Sequence, residues 1–93
     1  DSGMPVEFEL GVAYPNPFNA STMFTVSLPD AADLKVAIYN VLGQQVAILA
    51  DQRMEVGRHT FTFDAKNLAS GVYIIHAIVP GELNEMQKVF MMK

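Results

Sequence analysis

The chain has 93 residues, 51% of them apolar and 17% charged, which fits one globular domain with a single core and not a disordered chain. Its net charge is −4 with six Lys and Arg in all, too little positive charge for a phosphate-gripping nucleic-acid surface. It has no cysteine, so disulfide and thiol chemistry are excluded, and no apolar run near the ~20 residues a membrane-spanning helix needs.

The start, Asp1-Ser2-Gly3-Met4, has neither the basic nor the apolar region of a signal peptide. It reads as a cut inside a longer polypeptide, with residues 1–5 as linker and residues 6–93 as a single domain. Val6 to Tyr14 is expected to be extended, Val6, Phe8 and Leu10 alternating with Glu7 and Glu9. Tyr14-Pro15-Asn16-Pro17-Phe18-Asn19 follows. Its prolines fix φ and remove two N–H donors, so a kink or crossover is expected there.

Thr22 to Leu28 alternates again, with Phe24, Val26 and Leu28 on one face and Thr25 and Ser27 on the other, and Pro29-Asp30 starts a turn. Leu34, Val36 and Ile38 form the next apolar face, opposite Lys35, Ala37 and Tyr39. The alternation favours a strand here over a helix. Asn40-Val41-Leu42-Gly43 reads as a short connection, and Gln44 to Ala50 as a strand with Val46 and Ile48 on one face. Asp51 to Gly57 reads as a polar loop.

His59, Phe61 and Phe63 alternate with Thr60 and Thr62, another strand. Asp64 to Gly71 reads as a loop pinned by Leu68, with one helical turn at most. Val72 to Val79 is apolar on both faces, the pattern of a central strand covered on both sides. Pro80-Gly81 marks a turn, and Glu85 to Met92 returns as a hairpin. About seven short strands with turn chemistry between them predict an all-β, antiparallel sandwich.

Catalysis finds little to work with. The histidines are His59 and His76 and the serines Ser2, Ser21, Ser27 and Ser70; Ser70 lacks the preceding glycine of a nucleophile elbow. Two histidines without cysteine make a poor zinc site, even if they face each other across strands. Asp30 with Asp33, or Asp51 with Glu55, could offer oxygens to calcium, but solvated loop carboxylates are the simpler account. No carboxylate pair is marked for glycoside hydrolysis. A sugar platform would have to come from Tyr14, Tyr39 and Tyr73, since tryptophan is absent. Asn19-Ala20-Ser21 matches a glycosylation acceptor pattern and reads as a turn. Six methionines, with Met86, Met91 and Met92 near the end, fit either an adaptable docking surface or plain strand filling. The module is read as non-catalytic, with no cofactor and no metal.

Five stretches together resemble one family: residues 14–22, residues 36–46 with Asn40-Val41-Leu42-Gly43-Gln44 at their centre, Phe63-Asp64-Ala65, Leu68-Ala69-Ser70-Gly71-Val72-Tyr73, and Lys88-Val89-Phe90-Met91-Met92-Lys93. They are similar to the type A C-terminal sorting domain of proteins exported by the type IX secretion system in Bacteroidota and related bacteria. The usual family sequence has proline where Ala20 stands. The resemblance implies an immunoglobulin-like sandwich recognised by the type IX machinery at the outer membrane. It also implies an N-terminal cargo domain, often a secreted hydrolase such as a xylanase, carried to the cell surface and held there by attachment machinery. A plain spacer or a carbohydrate-binding accessory module of a secreted enzyme is the alternative.

Physical roles follow for the matched residues. Gly43 and Gly71 suit sharp turns or positive φ. Tyr73, Ile75 and Ala77 are expected to face inward, leaving His76 outside; Val89 and Met91 inward, leaving Lys88, Phe90 and Met92 outside. Lys88 to Lys93, with Pro15, Asn16 and Pro17, form the expected recognition surface, because an apolar strip on a terminal edge strand offers both side chains and unpaired backbone.

Overall fold

A computed structural model of the protein describes residues 4–93. Asp1 to Gly3, including Ser2, lie outside the described residues. Seven strands form two antiparallel sheets: β1 (Glu9–Leu10), β2 (Ser21–Leu28), β3 (Ala32–Asn40), β4 (Gln45–Met54), β5 (Gly57–Asp64), β6 (Gly71–Val79) and β7 (Leu83–Met91). One sheet has the order β1-β2-β5 and the other β4-β3-β6-β7. The all-β sandwich expected from the alternation is what forms.

The core lies between the sheets and is built from alternate residues. β2 contributes Thr22, Phe24, Val26 and Leu28, and β5 contributes Phe63; β3 contributes Leu34, Val36 and Ile38, β6 Tyr73, Ile75, Ala77 and Val79, and β7 Leu83, Val89 and Met91. Phe63 sits at its centre, with ring centroids 5.7 Å from Phe18 and 5.6 Å from Tyr73. The Tyr73 hydroxyl donates to the Ala69 carbonyl at 2.6 Å, tying the 65–70 loop to the sheet as a tyrosine corner does in immunoglobulin domains.

Four expectations need correction. β4 runs on through Asp51–Met54, where a polar loop was expected. Its backbone continues to pair with Ala32 to Lys35 of β3, and on an edge strand the polar side chains face water at no cost. Two register shifts in the β3–β4 ladder then upset the alternation of β4. Each inserts an extra residue and reverses the faces beyond it, so Val46 packs against the core while Ile48 is exposed on the outer side, not beside it.

The N-terminal segment is less regular than its alternation implied. Only Glu9 and Leu10 pair as a strand with β2; Gly11 still donates to Thr25, and Tyr14 next pairs with Met23. The extra residue moves the buried side from Leu10 to Ala13 and leaves Val6 and Val12 exposed. Pro5 is itself buried.

Finally, β6 is central in its sheet but is covered on one face. Val72, Ile74, His76 and Ile78, all half-buried, point away from the core, shielded by cross-strand neighbours and not by another layer.

One hairpin turn and one crossover between the sheets are fixed by side chains or glycine. At the β3–β4 turn the Asn40 carboxamide oxygen accepts from the N–H groups of Leu42 and Gln44, and Gly43 supplies a φ of +80°. A cluster of short bonds thus holds Val41 and Leu42, 69% and 78% exposed, at a rigid tip. Gly71, at φ +151°, opens β6 in a region of backbone space that L side chains avoid.

Candidate recognition surface

The segment 14–18 and the last strand, far apart in sequence, meet along one edge. The peptide bonds before Pro15 and Pro17 are both cis. Between them Asn16 turns its carboxamide onto β7: its oxygen accepts from Phe90 N–H at 2.9 Å and its nitrogen donates to the Lys88 carbonyl at 3.2 Å. Phe18 extends the pairing, donating its N–H to the Phe90 carbonyl at 2.8 Å and accepting from Met92 N–H at 2.9 Å. Its ring, meanwhile, is buried in the core. The carbonyl of Pro15 accepts from the hydroxyl of Thr22 at 2.7 Å, which satisfies the one buried polar side chain among the described residues.

A second carboxamide repeats this device in the other direction, from β7 onto residues 11–13. Gln87, on the core-facing side of β7, donates to the Gly11 carbonyl at 2.6 Å and accepts from Ala13 N–H at 2.9 Å. Each amide takes the place of a peptide group and closes backbone valences left open where the chain leaves one sheet for the other. The Pro-Asn-Pro-Phe segment is therefore the crossover expected from its prolines, and also a clasp on the terminal strand.

The nine residues expected to form the recognition surface are thus brought together. Lys88, Phe90 and Met92 face outward as expected, with Phe90 43% and Met92 60% exposed, and Lys93 is exposed as well. Val89 and Met91 are buried and serve the core. One expectation fails: from Lys88 to Met92 the strand edge does not offer unpaired backbone for strand addition, because Asn16 and Phe18 already occupy it. The end of the chain is held as well, Lys93 N–H donating to the Ser70 hydroxyl at 3.1 Å.

The surface extends further than the sequence reading placed it. On β7 the outward row begins at Met86, 66% exposed, and on β6 Val72 stands opposite Phe90, Ile74 opposite Lys88, and His76 opposite Met86. Two shallow grooves open along this row, one of about 210 Å³ lined by Ile74, Met86 and Lys88, the other of about 430 Å³ between Pro17, Val72, Phe90 and Met92. The signal for the β6 half was present in the sequence: a strand apolar on both faces needs a second cover.

The other candidates do not assemble. His59 lies on β5, its ring nitrogen 2.7 Å from the Glu55 carbonyl; His76 lies on β6 in the other sheet, 2.7 Å from the Asn84 carboxamide oxygen. They do not face each other across strands. Asp33 pairs loosely with Arg53 at 3.8 Å, both exposed, and the described residues include no group of three or more His, Asp or Glu placed to hold a metal. The three tyrosines share no face: Tyr14 is beside Met23 on the three-stranded sheet, Tyr39 is on the outer side of the four-stranded sheet, and Tyr73 is in the core. In Asn19-Ala20-Ser21, Ala20 takes φ +78°, a value that the proline usual in the resembled family cannot reach.

Comparison with known proteins bears on all of this. The family described as the secretion system C-terminal sorting domain matches residues 12–92. The chain is similar in structure to part of PorZ, an essential bacterial surface component of the type IX secretion system of Porphyromonas gingivalis, with a TM-score of 0.61 and 20% identity. The match covers 99% of this chain and 13% of that one, so the chain spans a small part of that protein's length. A looser overlap, with a TM-score of 0.47 and 18% identity, joins 94% of this chain to 31% of the alkylpurine DNA glycosylase AlkC of Pseudomonas fluorescens, and bears on neither fold nor function. No curated protein matches the chain.

Proposed function

The chain belongs to the family of secretion system C-terminal sorting domains, and we propose that it carries a larger protein through the type IX system to the cell surface, with the clasped strand β7 and the outer face beside it as the part that is recognised. The family gives the role in export signalling, and such a domain is non-catalytic. The observation that carries the proposal is the family match over nearly the whole chain, on a fold in which the matched Pro-Asn-Pro and Lys88–Met92 segments lie side by side.

In this reading residues 6–93 act as one unit, residues 1–5 lead to it, and the cargo lies on the N-terminal side. The resemblance suggests a secreted hydrolase, such as a xylanase, as the type of cargo. Machinery at the outer membrane engages the folded domain, and attachment machinery then holds the cargo at the surface. The sequence contributes a cysteine-free chain, with no disulfide to form or break on the way, and the fold adds an apolar patch on an otherwise acidic domain.

The test is a fluorescent reporter fused to the domain and expressed in hosts with and without a working type IX system. The fusion is expected at the surface of the first host and in the periplasm of the second, and the bare reporter in the periplasm of both. Surface display of the bare reporter in the first host, equal to that of the fusion, overturns the proposal.

A further inference from the structure

The outward row of β7, Met86-x-Lys88-x-Phe90-x-Met92, holds one cation among apolar side chains. Lys88 has Ile74 across from it and lines one groove with Ile74 and Met86, while a second, apolar groove between Pro17, Val72, Phe90 and Met92 begins two residues further along the strand. Among the described residues its ammonium has neither an ion pair nor a hydrogen bond, whereas Arg53 has Asp33. We propose that this strip seats a protein segment that is apolar at two points and carries a carboxylate between them, with the carboxylate meeting Lys88. This rests on the sorting role above and specifies the partner's chemistry.

Charge chooses among the occupants. Two apolar grooves favour any apolar visitor, but a cation between them is desolvated along with the grooves and must be matched by an anion. A second copy seating the same strip against itself would set Lys88 against Lys88, a like-charge contact that disfavours pairing. An anionic lipid surface attracts clusters of several Lys and Arg, whereas here six are spread over a chain of net charge −4. A carboxylate-bearing protein segment satisfies both the grooves and the lysine.

The full exported protein, with a photoreactive phenylalanine analogue in place of Met86 or, as control, of Thr60 on the opposite outer face, is irradiated in a type IX-competent host. The adducts are then sequenced by mass spectrometry. Position 86 is expected to mark a protein segment with Asp or Glu between apolar residues, and position 60 to mark none. Lys88→Glu is expected to lower the yield about tenfold, and Lys88→Arg to preserve it within about twofold. Adducts with lipid or with another copy, no adduct from position 86, or a yield indifferent to Lys88→Glu would each overturn the proposal. Display at the surface is scored in the same cells. Domain-dependent display without such adducts removes the carboxylate partner and leaves the sorting role standing; display that persists after the whole domain is deleted removes the sorting role.

Discussion

The two outer faces of the sandwich differ in kind. On the three-stranded sheet the outward residues are Glu9, Ser21, Met23, Thr25, Ser27, Arg58, Thr60, Thr62 and Asp64, mostly hydroxyls and charges, with Met23 and the neighbouring Tyr14 as its apolar members; Thr25 and Thr60 bond across the strands at 3.1 Å. On the four-stranded sheet the outward residues of β6 and β7 are mostly Val, Ile, Met and Phe. Most of the first face is finished by water. The second resembles the inner face of a sheet and lacks its cover, so the same architecture that closes one side of the domain leaves the other fit for a partner.

The largest expected effect separates the two faces of β6 itself. Ile75→Ala removes a fully buried side chain and is expected to cost about 2–5 kcal/mol in chemical denaturation, while Ile74→Ala, one residue away and outward, is expected to cost under about 1 kcal/mol. Equal losses would mean that the outer face is a second core and not a docking surface.

Next comes the clasp. Gln87→Ala leaves the Gly11 carbonyl and the Ala13 N–H without their partner, and a loss of about 1–3 kcal/mol is expected by denaturation. Asn16→Ala opens the Phe90 amide and the Lys88 carbonyl at a more exposed site, so about 1 kcal/mol is expected. Faster hydrogen exchange at the Phe90 amide is its more specific mark. An exchange rate at Phe90 unchanged by Asn16→Ala would show that the terminal strand is not held this way.

Ala20→Pro is expected to lower stability by about 1–3 kcal/mol, because the ring fixes φ near −65° where this chain has +78°. A neutral result would show that this turn takes a second conformation at little cost. The smallest effect belongs to the polar face: Thr60→Val is expected to change stability by less than about 0.5 kcal/mol and to leave export unchanged.

Much of this architecture was legible in the chain. Phe24-x-Val26-x-Leu28 and Leu34-x-Val36-x-Ile38 show their buried faces by period alone, and Asn40 and Gly43 announce their turn. What stayed hidden has two physical causes. A bulge inserts one residue and reverses every later side chain, so Val46 and Ile48 separated and Leu10 gave way to Ala13 without any mark in composition. The clasp depends on contacts between residues 74 apart, Asn16 with Phe90, which no local pattern encodes. Of the recognition surface, the outward Phe90 and Met92 followed from parity. The contribution of β6 was obscured because its two apolar faces were read as two covered faces, and the unpaired edge expected at residues 88–92 was already taken by Asn16 and Phe18.

Surface display of two matched double variants, each first checked by denaturation to be folded, tests the central claim most directly. Lys88→Glu with Phe90→Ser alters the apolar outer face without touching the core, and Thr25→Ser with Thr60→Ser alters the polar one. The account predicts that the reporter fusion carrying the first pair stays in the periplasm while the second reaches the surface like the parent. Equal display of both would contradict it.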